Sequence, residues 1–192
     1  MGRSFTKQEK ENIRQSLQDA CKQSWTRYGY KKTSVDELCR QVGISKGAFY
    51  LFFESKEALF CKVLCQVQQQ IRDGAAKILA EYQDKRGAAE ALKYIYREYD
   101  RHNFLYNADS VDYIMLVHKL SEEQAGRLGE SERMSRELFY ERPWLKFKID
   151  GNKAMAVIYA LLMNGKNKEI LPYDHAETFD FMVDHLIDSL YE

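Results

Sequence analysis

The chain has 192 residues, 45% of them hydrophobic and 13% aromatic, so it can bury a sizeable core and is not an intrinsically disordered polypeptide. Its formal net charge is zero, yet residues 1–60 hold 11 Lys and Arg against 7 Asp and Glu, whereas the remaining residues hold 18 against 22. This basic front part suggests that one end of the protein contacts a polyanion; ordinary scatter of solvated charge is the alternative.

Apolar periodicity and capping residues predict an all-α protein of about nine helices, with no strand and no internal repeat. Thr6 and Glu9 match a capping box, and Gly29 is expected to stop the first helix. A turn is expected over 84–87 and a polar-aromatic connection over 103–110. The predicted helices cover approximately 6–28, 35–41, 45–52, 55–82, 88–102, 111–120, 121–142, 151–164 and 175–191.

Two short helices joined by a glycine-containing turn at 42–44 match the helix-turn-helix layout. In that motif the second helix enters the DNA major groove and its first residues, here Lys46, Gly47 and Ala48, reach base edges. Phe49 is expected to point inward, leaving Tyr50 and neighbouring Leu51 as surface for DNA. A buried helical hairpin is the alternative, because such hairpins are common in bundles.

Three segments carry a specific resemblance: TSVDEL at 33–38, VGISKGAFY at 42–50 and FFESKEAL at 52–59. They resemble the tetracycline-repressor-like (TetR) family of transcriptional regulators, whose pattern is approximately T-x-x-x-I-A, A-G-V-S-K-G-x-F-Y and Y-F-x-S-K-E-x-L. The resemblance covers about 13–59. Beyond it, only helix number and length are similar.

The resemblance implies which residues touch DNA. The residues implied at the DNA backbone are Thr33, Ser34, Tyr50 and Lys56, and those implied near the bases are Lys46, Gly47, Ala48 and Leu51. Cys39 and Val42 stand where the family usually has alanine. Leu51 replaces a residue that is often polar in the family, so contact with a thymine methyl is the alternative to hydrogen-bonded readout there.

The resemblance also predicts two domains: a DNA-binding domain at 1–59 and a helical effector-binding and dimerisation domain at 60–192. The apolar faces of the last two helices fit either the subunit's own core or a second copy, and the resemblance favours a homodimer on a palindromic DNA duplex. Among the many aromatic residues of the middle helices, Tyr113, His118 and Trp144 are candidate contacts for a small-molecule effector. Packed core is the alternative for each of them.

The sequence offers nothing for enzymatic chemistry. It contains no Ser-His-acid arrangement, phosphate-binding loop or dinucleotide fingerprint. Cys61 and Cys65 lie one helical turn apart and form an incomplete zinc site that fits core packing better. We expect no catalysis, no cofactor and no metal.

The longest uncharged apolar run, 154–165, is too short to cross a bilayer, and no apolar secretion segment precedes Ile13. The few cysteines suit a reducing compartment, so we expect a cytoplasmic protein.

The predicted function is therefore sequence-specific DNA binding by a transcriptional regulator, expected to be a repressor released from its operator by a small molecule. One alternative is a DNA-binding regulator controlled by a protein partner without a small ligand. The other is a helical adaptor that lacks DNA binding.

Overall fold

The computed structural model describes residues 5–102, 111–140, 142–163 and 173–192. Within these ranges the chain forms nine helices, and the single strand-like feature is an isolated bridge between Phe147 and Tyr191. The helices are α1 Lys7–Lys32, α2 Val35–Val42, α3 Lys46–Phe49, α4 Lys56–Glu81, α5 Lys85–Arg101, α6 Val111–Val117, α7 Glu122–Glu137, α8 Gly151–Met163 and α9 His175–Leu190. The predicted all-α fold is confirmed. None of these helices is long and apolar enough to cross a membrane.

Local capping explains where several helices begin. The amide of Glu9 donates to Thr6 Oγ1 at 3.2 Å, and the amide of Thr6 donates to Glu9 Oε2 at 2.8 Å, which completes the predicted capping box. The same reciprocal pair forms at the start of α7, where Gln124 and Ser121 exchange bonds of 3.3 and 3.1 Å. These side chains satisfy amide groups that a helix start leaves without partners.

Two glycines set the turns of the front helices. Gly29 has φ 81° and interrupts α1 at the predicted position, although the chain resumes helical structure up to Lys32. Gly43 has φ 75° and ends α2 in the left-handed conformation, with its amide bonded to the carbonyl of Cys39. Glycine suits both positions because it lacks the Cβ that disfavours positive φ.

Some predicted boundaries are wrong. The segment expected to be a turn at 84–87 instead starts α5, because the side chain of Asp84 accepts a 3.0 Å bond from the amide of Gly87 and caps the helix one turn earlier. Helix α3 ends at Phe49, and α6 and α7 end at Val117 and Glu137, each before its predicted end. The predicted connection at 103–110 lies outside the described residues.

The chain divides into two compact units. Unit 1 comprises the described residues of Met1–Gln66 and Ala108–Leu128, and unit 2 comprises those of Val67–Asn107 and Gly129–Glu192. In unit 1, α1 packs against α2 and α6, and α2 packs against α3. This division by packing differs from the predicted functional boundary between residues 59 and 60, which stays a prediction about where DNA binding ends.

Aromatic side chains form much of the interior of unit 1. Phe60 is fully buried, and its ring centroid lies 4.7 Å from that of Trp25 and 5.1 Å from that of Tyr30. Such close aromatic contacts contribute beyond the area they bury. They fix the end of α1 against the start of α4, the two helices that flank α2 and α3.

In unit 2, α5 and α9 pack along each other. The rings of Tyr96 and Phe179 stack with centroids 3.7 Å apart and an interplanar angle of 10°. Beside them the ammonium group of the buried Lys93 lies 2.6 Å from a carboxylate oxygen of Asp184. The buried charge is therefore paired, as burial of a lysine requires.

Candidate functional site

In the α2–turn–α3 segment, the buried ring of Phe49 fixes the position of the second helix. Phe49 is 0% exposed, and its ring lies 6.0 Å from that of Phe53. The Oγ of Ser45 caps α3 by accepting a 3.1 Å bond from the amide of Ala48. Burial of Phe49 orients the other side of the short helix toward solvent, as the sequence predicted.

That outward side is the α3 tip, by which we mean Lys46, Gly47, Tyr50 and Leu51. All four are exposed, Tyr50 to 52% and Leu51 to 71%, and the intervening Ala48 is half-buried. The predicted orientation of these residues is confirmed, whereas their contact with DNA stays a prediction.

Lys46 forms an ion pair with Asp36 in the protein without DNA. Its ammonium group lies 3.0 Å from a carboxylate oxygen of Asp36 on α2, and both side chains remain more than half exposed. The hydrogen bond to Asp36 raises the pKa of Lys46. An exposed pair of this kind is weak, so a phosphate can replace Asp36 as the partner of Lys46.

Thr33 and Ser34 differ in what they offer to a ligand. Thr33 is buried and its hydroxyl donates to the carbonyl of Gly29 at 2.8 Å, which braces the end of α1. Ser34 is exposed, and its Oγ caps α2 by accepting from the amide of Glu37 at 3.1 Å. The hydroxyl proton of Ser34 thus stays available to a phosphate, and the side chain of Thr33 acts within the protein.

Lys56 makes contacts within the protein, and its contact with DNA stays a prediction. Its ammonium group donates to the carbonyl of Tyr30 at 2.6 Å and lies 4.0 Å from the centre of the same ring. Burial lowers the pKa of Lys56. The hydroxyl of Tyr30 in turn bonds the carboxylate of Glu57, so this cluster ties the end of α1 to the start of α4.

Two of the three residues predicted to bind an effector lie in unit 1 and the third lies in unit 2. His118 is exposed and Tyr113 half-buried, both in unit 1, whereas Trp144 is half-buried in unit 2. A cavity in unit 2 is lined by none of the three. Their contact with an effector stays a prediction.

The cavity in unit 2, which we call the Arg72 cavity, has a volume of about 40 Å³. Its wall is mostly apolar, with a few polar groups. The lining residues are Gln68, Ile71, Arg72, Ile95, Tyr99, Ser135, Leu138, Phe139, Met155, Ile158, Tyr159 and Leu162. The sequence did not predict this site. Its walls come mainly from helices α4, α5, α7 and α8, and no pattern among neighbouring residues shows that these helices meet.

Of the two cysteines of α4, Cys65 is half-buried and Cys61 is enclosed. Cys61 is buried and its thiol lies 3.5 Å from the carbonyl of Gln124. A side-chain hydrogen bond with Cys65, together with burial, raises the pKa of Cys61. A thiol with a raised pKa is a poor nucleophile and a poor metal ligand at neutral pH.

An exposed basic helix tip, carried behind a capped helix and a left-handed glycine turn, defines the class of helix-turn-helix proteins. The family described as "Bacterial regulatory proteins, tetR family" matches residues 17–63 of the chain. The uncharacterised HTH-type transcriptional regulator YuxN of Bacillus subtilis (strain 168) is 56% identical over 36 residues, which are 19% of this chain and 12% of YuxN. The chain thus spans well under two thirds of this relative's length.

Solved structures resemble the chain over most of its length. The transcriptional regulator FadR from Bacillus subtilis, in complex with stearoyl-CoA, gives a TM-score of 0.70 at 14% identity and covers 91% of this chain and 98% of its own. A TetR family transcription regulator from Marinobacter aquaeolei VT8 gives a TM-score of 0.70 at 15% identity and covers 97% and 100%. At this identity the likeness shows the fold. The match to the tetR family model lies at 17–63, which includes α2, the turn and α3.

Proposed function

We propose that the protein is a homodimeric transcriptional repressor that binds a palindromic DNA duplex through the α3 tip. The observation that carries this proposal is the exposure of the tip beside the complete burial of Phe49. A cationic group, a phenol and an apolar side chain are presented together on a helix whose position is fixed from within. That combination suits a helix inserted into the major groove.

Each tip residue has a distinct role in this proposal. Lys46 exchanges Asp36 for a phosphate or a guanine edge, and Tyr50 donates its hydroxyl to a phosphate while its ring lies on the sugar. Leu51 contacts a thymine methyl, and Gly47 and Ala48 allow close approach of the helix. Ser34 donates to the DNA backbone from the start of α2. Thr33 and Lys56 stabilise the helices that carry the interface, since their side chains donate hydrogen bonds to backbone carbonyls.

The dimer is proposed to form through α8 and α9. Each of these helices buries one face in unit 2, so that face belongs to the subunit's own core. The opposite face of α9 still exposes an apolar group, since Phe181 is 64% exposed. Exposed alanines 156 and 160 let a second helix approach α8 closely. A two-fold pair would present two α3 tips to one palindrome.

The proposed effector site is the Arg72 cavity. A ligand there would release the operator by binding more tightly to a dimer with one spacing of its two tips than to a dimer with another. The similar FadR structure contains stearoyl-CoA. A cavity of about 40 Å³ does not enclose so long a chain as it stands, and we propose a smaller effector for this protein.

Selection of bound duplexes from a random DNA pool by the full-length protein tests this function. We expect an inverted repeat whose half-sites present major grooves about 34–36 Å apart. Lys46→Ala and Tyr50→Ala should enrich such a sequence far less than the parent does at the same protein concentration, while keeping the helical content of the parent. Enrichment of the same repeat to the parent's level by both variants would contradict the assignment of the α3 tip, and enrichment of no sequence by the parent would contradict DNA recognition itself.

A further inference from the structure

We propose that the Arg72 cavity binds a small organic carboxylate, held through its charged group by the guanidinium of Arg72 and through its carbon chain by the apolar wall. This inference deepens the proposed function, because it names the chemical class of the effector. It is argued from the guanidinium of Arg72 in unit 2, which uses only part of its hydrogen-bonding capacity toward the described residues.

The guanidinium of Arg72 is bonded from one side. All three of its bonds come from Nη1, which donates to the carbonyl of Ser131 at 3.0 Å, to its hydroxyl at 2.8 Å and to the hydroxyl of Ser135 at 3.3 Å. Nη2 and Nε donate to no described residue. Serines 131 and 135 lie one turn apart on α7 and aim the planar group, so two parallel donors are left in the arrangement that a carboxylate accepts.

Three other arginines of the same unit pair with a carboxylate, whereas every described hydrogen-bond partner of Arg72 is a neutral oxygen, as is the one of Arg142. The ion pairs are Arg97–Asp180, Arg101–Glu98 and Arg133–Glu137. A half-buried cation whose protein partners are all neutral favours an anion that arrives from outside.

A second polar group of the cavity also lacks a partner. Gln68 Oε1 is buried and accepts no hydrogen bond from a described residue. Buried polar atoms without partners are uncommon in folded proteins, so this oxygen is a place for a donor from a ligand or from a water carried with it. Burial raises the pKa of Tyr99 to about 12, which keeps its hydroxyl protonated at neutral pH.

The remaining wall sets the size and nature of the ligand. Ile95, Leu138, Met155 and Ile158 offer no hydrogen bonds, so the part of the ligand beyond its carboxylate is apolar. The volume of about 40 Å³ is roughly three times what a single water needs, which fits a short chain of a few carbons. Met155 is unbranched and can rotate to admit a longer chain.

Isothermal titration of the full-length protein with sodium butyrate, sodium octanoate and neutral butyramide tests the proposal. We expect butyrate to bind and butyramide not to bind, because the amide lacks the charge that Arg72 recognises. Arg72→Met should weaken butyrate binding roughly tenfold to hundredfold, which is the usual effect of losing hydrogen bonds to a charged group. Arg133→Met, on an exposed arginine of α7 outside the cavity, is the matched control and should bind as the parent does.

Several outcomes would overturn the inference. They are equal binding of butyrate and butyramide, unchanged butyrate binding by Arg72→Met, and binding of neither carboxylate by the parent at millimolar concentration. If Arg72→Met does not fold, Arg72→Lys is tested instead. Lysine keeps the positive charge but lacks the two parallel N–H donors of the guanidinium, so this variant should bind butyrate more weakly than the parent. DNA binding is measured on the same preparations, so an intact operator complex without carboxylate binding would reject this inference alone and leave DNA recognition standing.

Discussion

The α3 tip and the Arg72 cavity present positive charge in opposite ways. At the tip, Lys46 lies on the surface beside Asp36, whose side chain is also more than half exposed, so water weakens the pair and a partner can exchange. In the cavity, Arg72 is half-buried and bonded to serine oxygens, and two of its donor nitrogens bond no residue that the structure describes. Exposed charge suits a long polyanion that arrives across a surface, whereas enclosed charge suits a single small anion.

This comparison makes a testable statement about specificity. Substitutions at the tip should change DNA binding and leave carboxylate binding intact, and substitutions in the cavity should do the reverse. Each variant below is therefore scored in both assays, in order of decreasing expected effect.

Phe49→Ala should have the largest effect, because it removes a fully buried ring from unit 1. We expect a loss of about 3–5 kcal/mol in the free energy of unfolding, measured by urea denaturation, and loss of DNA binding with it. The matched control is Leu51→Ala, two residues further along the chain in the turn after α3, where the side chain is 71% exposed. The control should change stability by less than about 0.5 kcal/mol and still weaken DNA binding. Equal destabilisation by both would contradict the assigned orientation of α3.

Phe181→Glu should separate the dimer, since it places a charge on the exposed apolar face of α9 in both copies. We expect a cost of about 3 kcal/mol in dimerisation, roughly 100-fold in the dissociation constant, measured by light scattering across a dilution series. Tyr28→Glu, at an exposed tyrosine of α1 in unit 1, should leave the dimer unchanged. A dimer of parental strength in Phe181→Glu would place the interface elsewhere.

Tyr50→Ala should weaken operator binding roughly tenfold to hundredfold, because both a hydrogen bond to a phosphate and a ring contact are lost. Tyr50→Phe separates the two contributions by removing the hydroxyl alone, and it should lie between the parent and Tyr50→Ala in an electrophoretic shift titration. Butyrate binding should be the same in all three proteins. Unchanged DNA affinity in Tyr50→Ala would remove this residue from the interface.

Asp36→Asn should have the smallest effect and the opposite sign. It frees Lys46 from its carboxylate partner and removes a negative charge from the face proposed to meet DNA. We expect operator binding to tighten roughly two- to fivefold at constant salt concentration, with little change in thermal stability. Weaker binding in this variant would mean that Asp36 positions Lys46 for DNA rather than competing with it.

Features encoded in neighbouring residues were predictable from the sequence. The capping pair of Thr6 and Glu9, the stops at Gly29 and Gly43 and the inward Phe49 all depend on residues a few positions apart. The same local rules located nine helices and the exposed tip. They missed the true start of α5, because the cap formed by Asp84 was interpreted as part of a turn.

Features that depend on distant contacts were not predictable. Lys56 resembles a DNA contact by its motif, yet the structure brings it to the carbonyl of Tyr30, 26 positions away. Arg72 meets serines that are 59 and 63 positions further along the chain, so no local pattern marks the cavity. Helical spacing grouped Tyr113 and His118 on a single helix, but it contains no information about which helices enclose a space.

The salt dependence of operator binding tests the central claim most directly, because it measures the phosphates that the α3 tip neutralises. For the parent protein on its selected duplex, the logarithm of the binding constant should fall linearly with the logarithm of salt concentration, by about 0.9 for each phosphate neutralised. Lys46→Ala should bind more weakly and with a slope shallower by about 0.9 for each of the two copies in the dimer. The same slope and the same affinity in Lys46→Ala as in the parent would contradict the claim that this tip binds DNA.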